Sequence, residues 1–223
     1  MTLVPTPAHT HRRQPSPRPP ARLAAEQRRR LRATIETTSS GPVDAVLLAG
    51  SIADAVAARQ AGLWTPALAT QPRRRSPPAE AVAEHVGLTL HRTPDWHLDE
   101  GRSVAADEWG LPPGPRRERA ARLAAACAMA RRRGADRVLA GAGASAFHPA
   151  GLGPERALAL VDRYGLELAS PFTDPGVRQA GRRLGDALRT GRWRGRCWPG
   201  WALREVFTEP LSAAITWPMR ARV

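Results

Sequence analysis

Lysine is absent from this 223-residue chain, so all 34 of its basic residues are arginines. Against 20 acids they leave a net charge of +14. Such an excess first suggests a polyanionic partner such as nucleic acid. The missing lysine, together with abundant alanine, 19 glycines and 22 prolines, points instead to a composition that writes its surface charge in arginine. Aromatic residues are scarce at 5%, and seven of the eleven are tryptophan. A core must therefore be built mainly from alanine, leucine and valine.

Only two cysteines occur, Cys127 and Cys197, in no paired motif. That excludes a disulfide framework or a cysteine zinc site and fits a reducing compartment. No apolar run approaches the ~20 residues that cross a bilayer. The start of the chain lacks the apolar middle of a secretory signal. The expectation is a soluble cytoplasmic protein with no membrane partner.

What is present divides into a tail and one domain. Residues 1–20 combine proline, arginine, serine and threonine with little to bury, and are expected to be disordered. His9 and His11 form an isolated pair there with no further ligand. Residues 21–223 read as a single α/β domain with a helical C-terminal section, 154–223. A helix is expected over 21–37, then an apolar strand at 45–48, a tight turn, and an alanine-rich helix over 52–60. Strands are expected at 67–70, 88–91 and 137–140, with helices at 79–85 and 116–133. Alternation of this kind is the mark of a parallel sheet. Residues 94–115 carry Asp95, Asp99, Glu100, Asp107 and Glu108 and read as a long irregular insertion. Further helices are expected at 155–164, 176–188 and 201–207. Trp193, Trp198, Trp201 and Trp217 are interleaved with Arg192, Arg194, Arg196 and Arg204, an arrangement that packs final helices or stacks nucleobases.

Two strands run into glycine-rich turns. The first is Ala49-Gly50-Ser51-Ile52-Ala53-Asp54, and the second begins at Gly141 and includes Gly143 and Ser145. Turns at the carboxyl edge of an open parallel sheet face the ligand crevice. A strand, glycine turn and helix start aim N–H groups at an anion, which is how phosphate is held.

These pieces, in this order, resemble the synthetase domain of the asparagine synthetase family, which includes β-lactam synthetases and lasso-peptide cyclases. The resemblance covers roughly Ala21 to Val223. The family's S-G-G-L-D-S loop is matched by Ala49-Gly50-Ser51-Ile52-Ala53-Asp54, and its G-E-G-A-D-E loop by Gly141-Ala142-Gly143-Ala144-Ser145-Ala146. Its R-x-P-F-L-D segment is matched by Ala169-Ser170-Pro171-Phe172-Thr173-Asp174. An L-R pair and an R-x-K are matched by Leu203-Arg204 and Arg220-Ala221-Arg222.

The resemblance implies an ATP-pyrophosphatase (HUP-like, Rossmann-like) parallel sheet, with ATP and Mg²⁺ activating a carboxylate as an acyl-adenylate for amide formation. It implies phosphate contacts at Gly50, Ser51, Asp54, Gly141, Gly143, Ser145, Arg220 and Arg222, with Phe172 and Asp174 on the substrate side. It also shows what is lost. The family's two metal-holding aspartates correspond to Ala53 and Ser145, its second-loop glutamates to Ala142 and Ala146, and its terminal lysine to Arg222. Asp54 stands one position past the expected acid. No metal ligand set or catalytic residue is therefore expected, and ATP chemistry is expected to be weak or lost. Position 2 is Thr2 where the family's glutaminase has a cysteine nucleophile, so release of ammonia from glutamine is not expected.

Three readings follow. The first is a degenerate member of the family that partners an active synthetase or cyclase, or holds a precursor peptide. The second is a divergent but working amide- or isopeptide-forming enzyme that uses Asp54, Asp174 and an acid such as Asp99 or Glu100. The third, ranked last, is a nucleic-acid binder built on the C-terminal arginines and tryptophans.

Overall fold

A computed structural model describes residues 23–38, 41–49, 51–62, 65–69, 79–147, 151–184, 186–193 and 196–216. The expected tail 1–20, together with Gly50, Trp217, Arg220 and Arg222, lies outside the described residues.

Four-residue apolar strands with no polar face must be covered on both sides. β1 (Ala45–Leu48) is buried along its whole length. It pairs in parallel with β2 (Ala67–Ala69) on one side and with β4 (Arg137–Ala140) on the other. β3 (Leu90–Arg92) extends the sheet beyond β2, and β5 (Glu167–Ala169) extends it beyond β4. The order is β3-β2-β1-β4-β5, all parallel. The fold is α/β and Rossmann-like.

Alternation along the strands supplies two cores. Val46, Leu48, Ala67, Ala69 and Leu139 enter one, while Ala45, Leu47, Leu68, Val138 and Ala140 enter the other. The first core is covered by α1 (Ala25–Glu36), α2 (Ile52–Ala58) and α3 (Ala79–Val86), with α7 (Pro175–Arg182) and α9 (Trp201–Thr216). The second is covered by α4 (Asp95–Asp107), α5 (Pro115–Arg132) and α6 (Pro154–Asp162). Alanine dominates both, so backbones approach closely where larger side chains would hold them apart.

Four expectations need correction. Residues 94–115 are not an irregular insertion, because 95–107 form α4, which lies along α5. The contact depends on Gly101: a Cβ there would stand 2.3 Å from the Ala121 carbonyl oxygen. His97, Leu98 and Ala105 pack on the same helix pair, with His97 buried and its Nδ1 3.5 Å from Glu100. The section from 154 onward is not simply helical either. It contributes β5 to the sheet and a hairpin of β6 (Thr190–Trp193) and β7 (Arg196–Pro199). The helix expected over 176–188 is two, α7 and the short α8 (Asp186–Arg189).

The last helix continues past 207 to Thr216. It includes Pro210 and is broken at Ser212, whose φ is 66°. The break folds the end of α9 back, so that Arg204 donates to the Thr216 carbonyl. Burial lowers the Arg204 guanidinium pKa to about 10. Trp201, 7% exposed, packs against Gly191 of the hairpin, where a Cβ would lie 2.2 Å from the indole ring.

Candidate functional site

Strand order reverses between β1 and β4, and both glycine turns leave the sheet at that point. In open α/β sheets, the crevice at such a switch point is where ligands bind.

The first turn is built on Ser51. Its backbone is extended (φ −115°, ψ 157°), and its hydroxyl accepts a hydrogen bond from the Asp54 N–H at 3.1 Å, which caps α2. The Asp54 side chain turns back in return. Its Oδ2 accepts from the Ser51 N–H at 2.8 Å and from the Ser51 hydroxyl at 2.9 Å. This is a reciprocal capping box with aspartate at the third helical position. α2 is buried on all sides, between the sheet and α9.

The other carboxylate oxygen spans the crevice. Asp54 Oδ1 accepts the Gly141 N–H at 3.0 Å, so a single side chain ties the two turns together. The turns also touch through their backbones. A Cβ on Gly141 would fall 2.2 Å from the Ala53 carbonyl carbon and the Asp54 nitrogen, and only glycine avoids that overlap. Gly143 follows with φ 89°, a conformation glycine adopts without strain. The second turn is anchored from below as well, because the Ser170 hydroxyl donates to the Ala142 carbonyl at 2.7 Å.

Asp54 is 5% exposed. Burial raises its pKa above the usual aspartate value. The Ser51 donors oppose that shift, followed by the charge of Arg119 and the Gly141 N–H. Arg119, from α5, lines the same crevice together with Leu123, and Leu203 of α9 closes another side. Burial lowers the Arg119 pKa while the Asp54 charge raises it. The two side chains thus favour each other's charged form while burial opposes it in both.

The space left between the turns is about 20 Å³. That holds about one water, whereas small-molecule sites run to roughly 300–1,000 Å³. The Ser51 proton points to a carboxylate that already takes two other donors, and among the described residues no histidine lines the crevice. Among the described residues, no group of three or more His, Cys, Asp or Glu side chains is placed to hold a metal ion.

No protein-family model matches this chain, and no curated protein matches it significantly. Neither membership of a family nor a function carries over from a relative.

The structure brings Ser51, Asp54, Gly141 and Gly143 together, as expected from the two turns. Ser145 does not line the same crevice: with Gly143 it lines an adjoining hollow, and its carbonyl accepts from Arg189 at 3.1 Å. Phe172, expected on the substrate side, is 1% exposed and packs edge-on against Phe147 with ring centroids 5.7 Å apart. Asp174 caps α7 by accepting the Val177 N–H at 2.9 Å. Asp54, Asp174, Asp99 and Glu100 do not form one acidic site, because Asp99 and Glu100 lie on α4 and only Asp54 lines the crevice. Leu203 lines the crevice while its neighbour Arg204 is spent inside α9. Arg119 was not singled out in the sequence. Its signal was modest, an arginine one helical turn before Leu123 on an otherwise alanine-rich face.

Proposed function

We propose that this chain is a degenerate asparagine-synthetase-like domain, of the ATP-pyrophosphatase (HUP-like) type of Rossmann-like fold. On this reading it serves as a partner or scaffold in amide-bond-forming or peptide-modifying biosynthesis, with weak or no ATP chemistry of its own. The observation that carries the reading is Asp54. The one acid retained in either glycine turn is engaged with Ser51 and Gly141 as a clamp, and about 20 Å³ remains between the turns it joins.

Adenylation needs acids that hold Mg²⁺ against a departing pyrophosphate. At the corresponding positions stand Ala53, 3% exposed, and Ser145, which faces elsewhere. An alanine-filled frame that keeps its glycines and loses its acids supports retention of the fold for docking rather than for turnover. Its partner on this reading is an active synthetase or cyclase, or a precursor peptide.

The test is Mg²⁺-dependent exchange of labelled pyrophosphate into ATP by the purified chain, with and without candidate carboxylate substrates. The expected outcome is no exchange above the buffer control. Exchange that Asp54→Ala abolishes would overturn the proposal in favour of the divergent enzyme.

A further inference from the structure

The crevice between the two turns lies at the carboxyl edge of the sheet. A larger hollow, of about 580 Å³, opens at the opposite edge. It runs along the amino ends of β1, β2 and β3 and is bounded on one side by the last turn of α5. Its floor is apolar, with Leu68 and Ala130 fully buried beneath it. Its rim is polar and carries charges of both signs. Asp44 stands just before β1, Thr89 and His91 belong to the start of β3, and Arg133 caps the C-terminal end of α5.

We propose that this hollow binds a short peptide with free ends, its ammonium group at Asp44 and its carboxylate at Arg133. The first argument is that the rim is unspent. Among the described residues, the side chains of Thr89, His91 and Arg133 make no hydrogen bond and no ion pair. Asp44 is held in place from behind. Its Oδ2 accepts the Arg137 N–H at 2.8 Å and the Asp136 N–H at 2.9 Å, and its Oδ1 has no partner among the described residues. The Arg137 N–H, followed by the Asp136 N–H, keeps its carboxyl below the usual aspartate range, so it is ionised at neutral pH. A carboxylate pinned in this way does not swing towards Arg133. Two opposite charges therefore line one hollow without pairing, and a ligand that carries both satisfies both.

Span is the second argument. β2 lies between β1 and β3, so Asp44 and Thr89, each directly ahead of its strand, stand about two strand spacings apart, or about 10 Å. A free amino acid carries both charges on one residue and does not bridge that distance. Three extended residues cover about 10 Å. The volume agrees, since 580 Å³ falls within the roughly 300–1,000 Å³ of small-molecule sites. Chemistry supplies the third argument. The planar fork of Arg133 matches a carboxylate, and the Thr89 hydroxyl and a His91 ring N–H add donors beside it. An ammonium group has donors only and suits the open Oδ1 of Asp44. The site does not rest on the reading of the crevice, and pyrophosphate exchange does not report on it, so the two fail separately.

The test is amide NMR of the full chain at pH 7, titrated with trialanine to about 10 mM, with N-acetyl-trialanine and trialanine amide as separate arms. Trialanine carries no net charge, so general attraction to a chain of +14 does not produce its binding. Saturable shifts are expected at 44–46, 66–68, 89–92 and 130–136. Each capped peptide lacks one of the two charges and should bind about fivefold more weakly or worse. Arg133→Gln should weaken trialanine binding by a similar factor and leave the fold intact, since that side chain is exposed and bonded to nothing described. A charge-matched control, Arg28→Gln on the exposed face of α1, should bind as the parent does. Absence of saturation overturns the proposal, and so does saturation centred on other residues. Equal binding of the free and capped peptides, or an equal loss in the two arginine variants, overturns it as well.

Discussion

Asp54 accepts three hydrogen bonds in a buried setting, and they offset only part of the cost of burying its charge, since its pKa stays raised. Asp54→Ala leaves the Ser51 N–H and the Gly141 N–H without acceptors in a space of about 20 Å³. A buried unsatisfied donor costs about 1–3 kcal/mol, and loss of the reciprocal cap adds about 1 kcal/mol. Relief of the buried charge offsets part of this. A net destabilisation of about 2–4 kcal/mol in urea unfolding is expected. A loss below about 0.5 kcal/mol would show that the clamp is incidental. Gly141→Ala strikes the same junction from the other side. Its Cβ overlaps backbone atoms, which cannot rotate away. The expected result is a loss of at least about 3 kcal/mol or failure to accumulate folded protein. At Gly153, where a Cβ meets nothing closer than the far end of Glu155 at 3.5 Å, the same substitution should be mild.

At the scale of elements, α4 shows how the second face of the sheet is completed. His97 is 3% exposed on the α4–α5 pair. Burial lowers its pKa below 6.5, and the charge of Arg132 acts in the same direction, while Glu100 opposes both. A folded state that binds fewer protons than the unfolded one loses stability as pH falls through that window. Stability at pH 7.5 should therefore exceed stability at pH 5.5, and His97→Leu should reduce that difference. Denaturant midpoints at the two pH values give the answer, and an unchanged difference in the variant would exclude His97 as its source.

The same helix shows where the sequence could be read and where it could not. The strands at 45–48 and 137–140 are legible because continuous apolar runs end in glycine turns. α5 is legible because eighteen residues rich in alanine and arginine follow Pro115 without an internal glycine or proline and stop just before Gly134. α4 is not, because two of the residues at its contact, Gly101 and His97, do not mark a helix face. β5 is hidden by its length of three residues and by Ser170-Pro171 directly after it. The hairpin of β6 and β7 is hidden because its tryptophans and arginines invite a chemical reading before a structural one. At the site, the turns were legible from their glycines. The direction of Asp54 was not, since a one-residue offset is resolved only by what its oxygens reach. The hollow beside Ser145 was beyond reach for another reason: the four arginines that line it are spread over 74 positions, from Arg116 to Arg189, on three helices.

Across the whole molecule, the strand order places β1 and β4 at the centre, with one alanine-rich core on each face. Cys127 lies in the second core with no measurable exposure, midway along α5. Burial pushes its thiol far above the usual range, so little thiolate forms in the folded state. α5 borders β1, β2, α4 and α6 at once and so cannot lift away without exposing that core. Reaction of Cys127 is therefore tied to global unfolding, not to local fraying. In a Cys197→Ser background, labelling by a neutral maleimide at pH 7 should be at least about a thousandfold slower in buffer than in unfolding urea, as expected for a domain stable by 5 kcal/mol or more. The labelling rate should rise with urea along the curve given by circular dichroism. Fast labelling in buffer would show that the α4–α5 layer opens by itself. The face of the sheet that carries Arg119 would then be a separate dynamic unit, and the closed crevice between the turns would be one state of two.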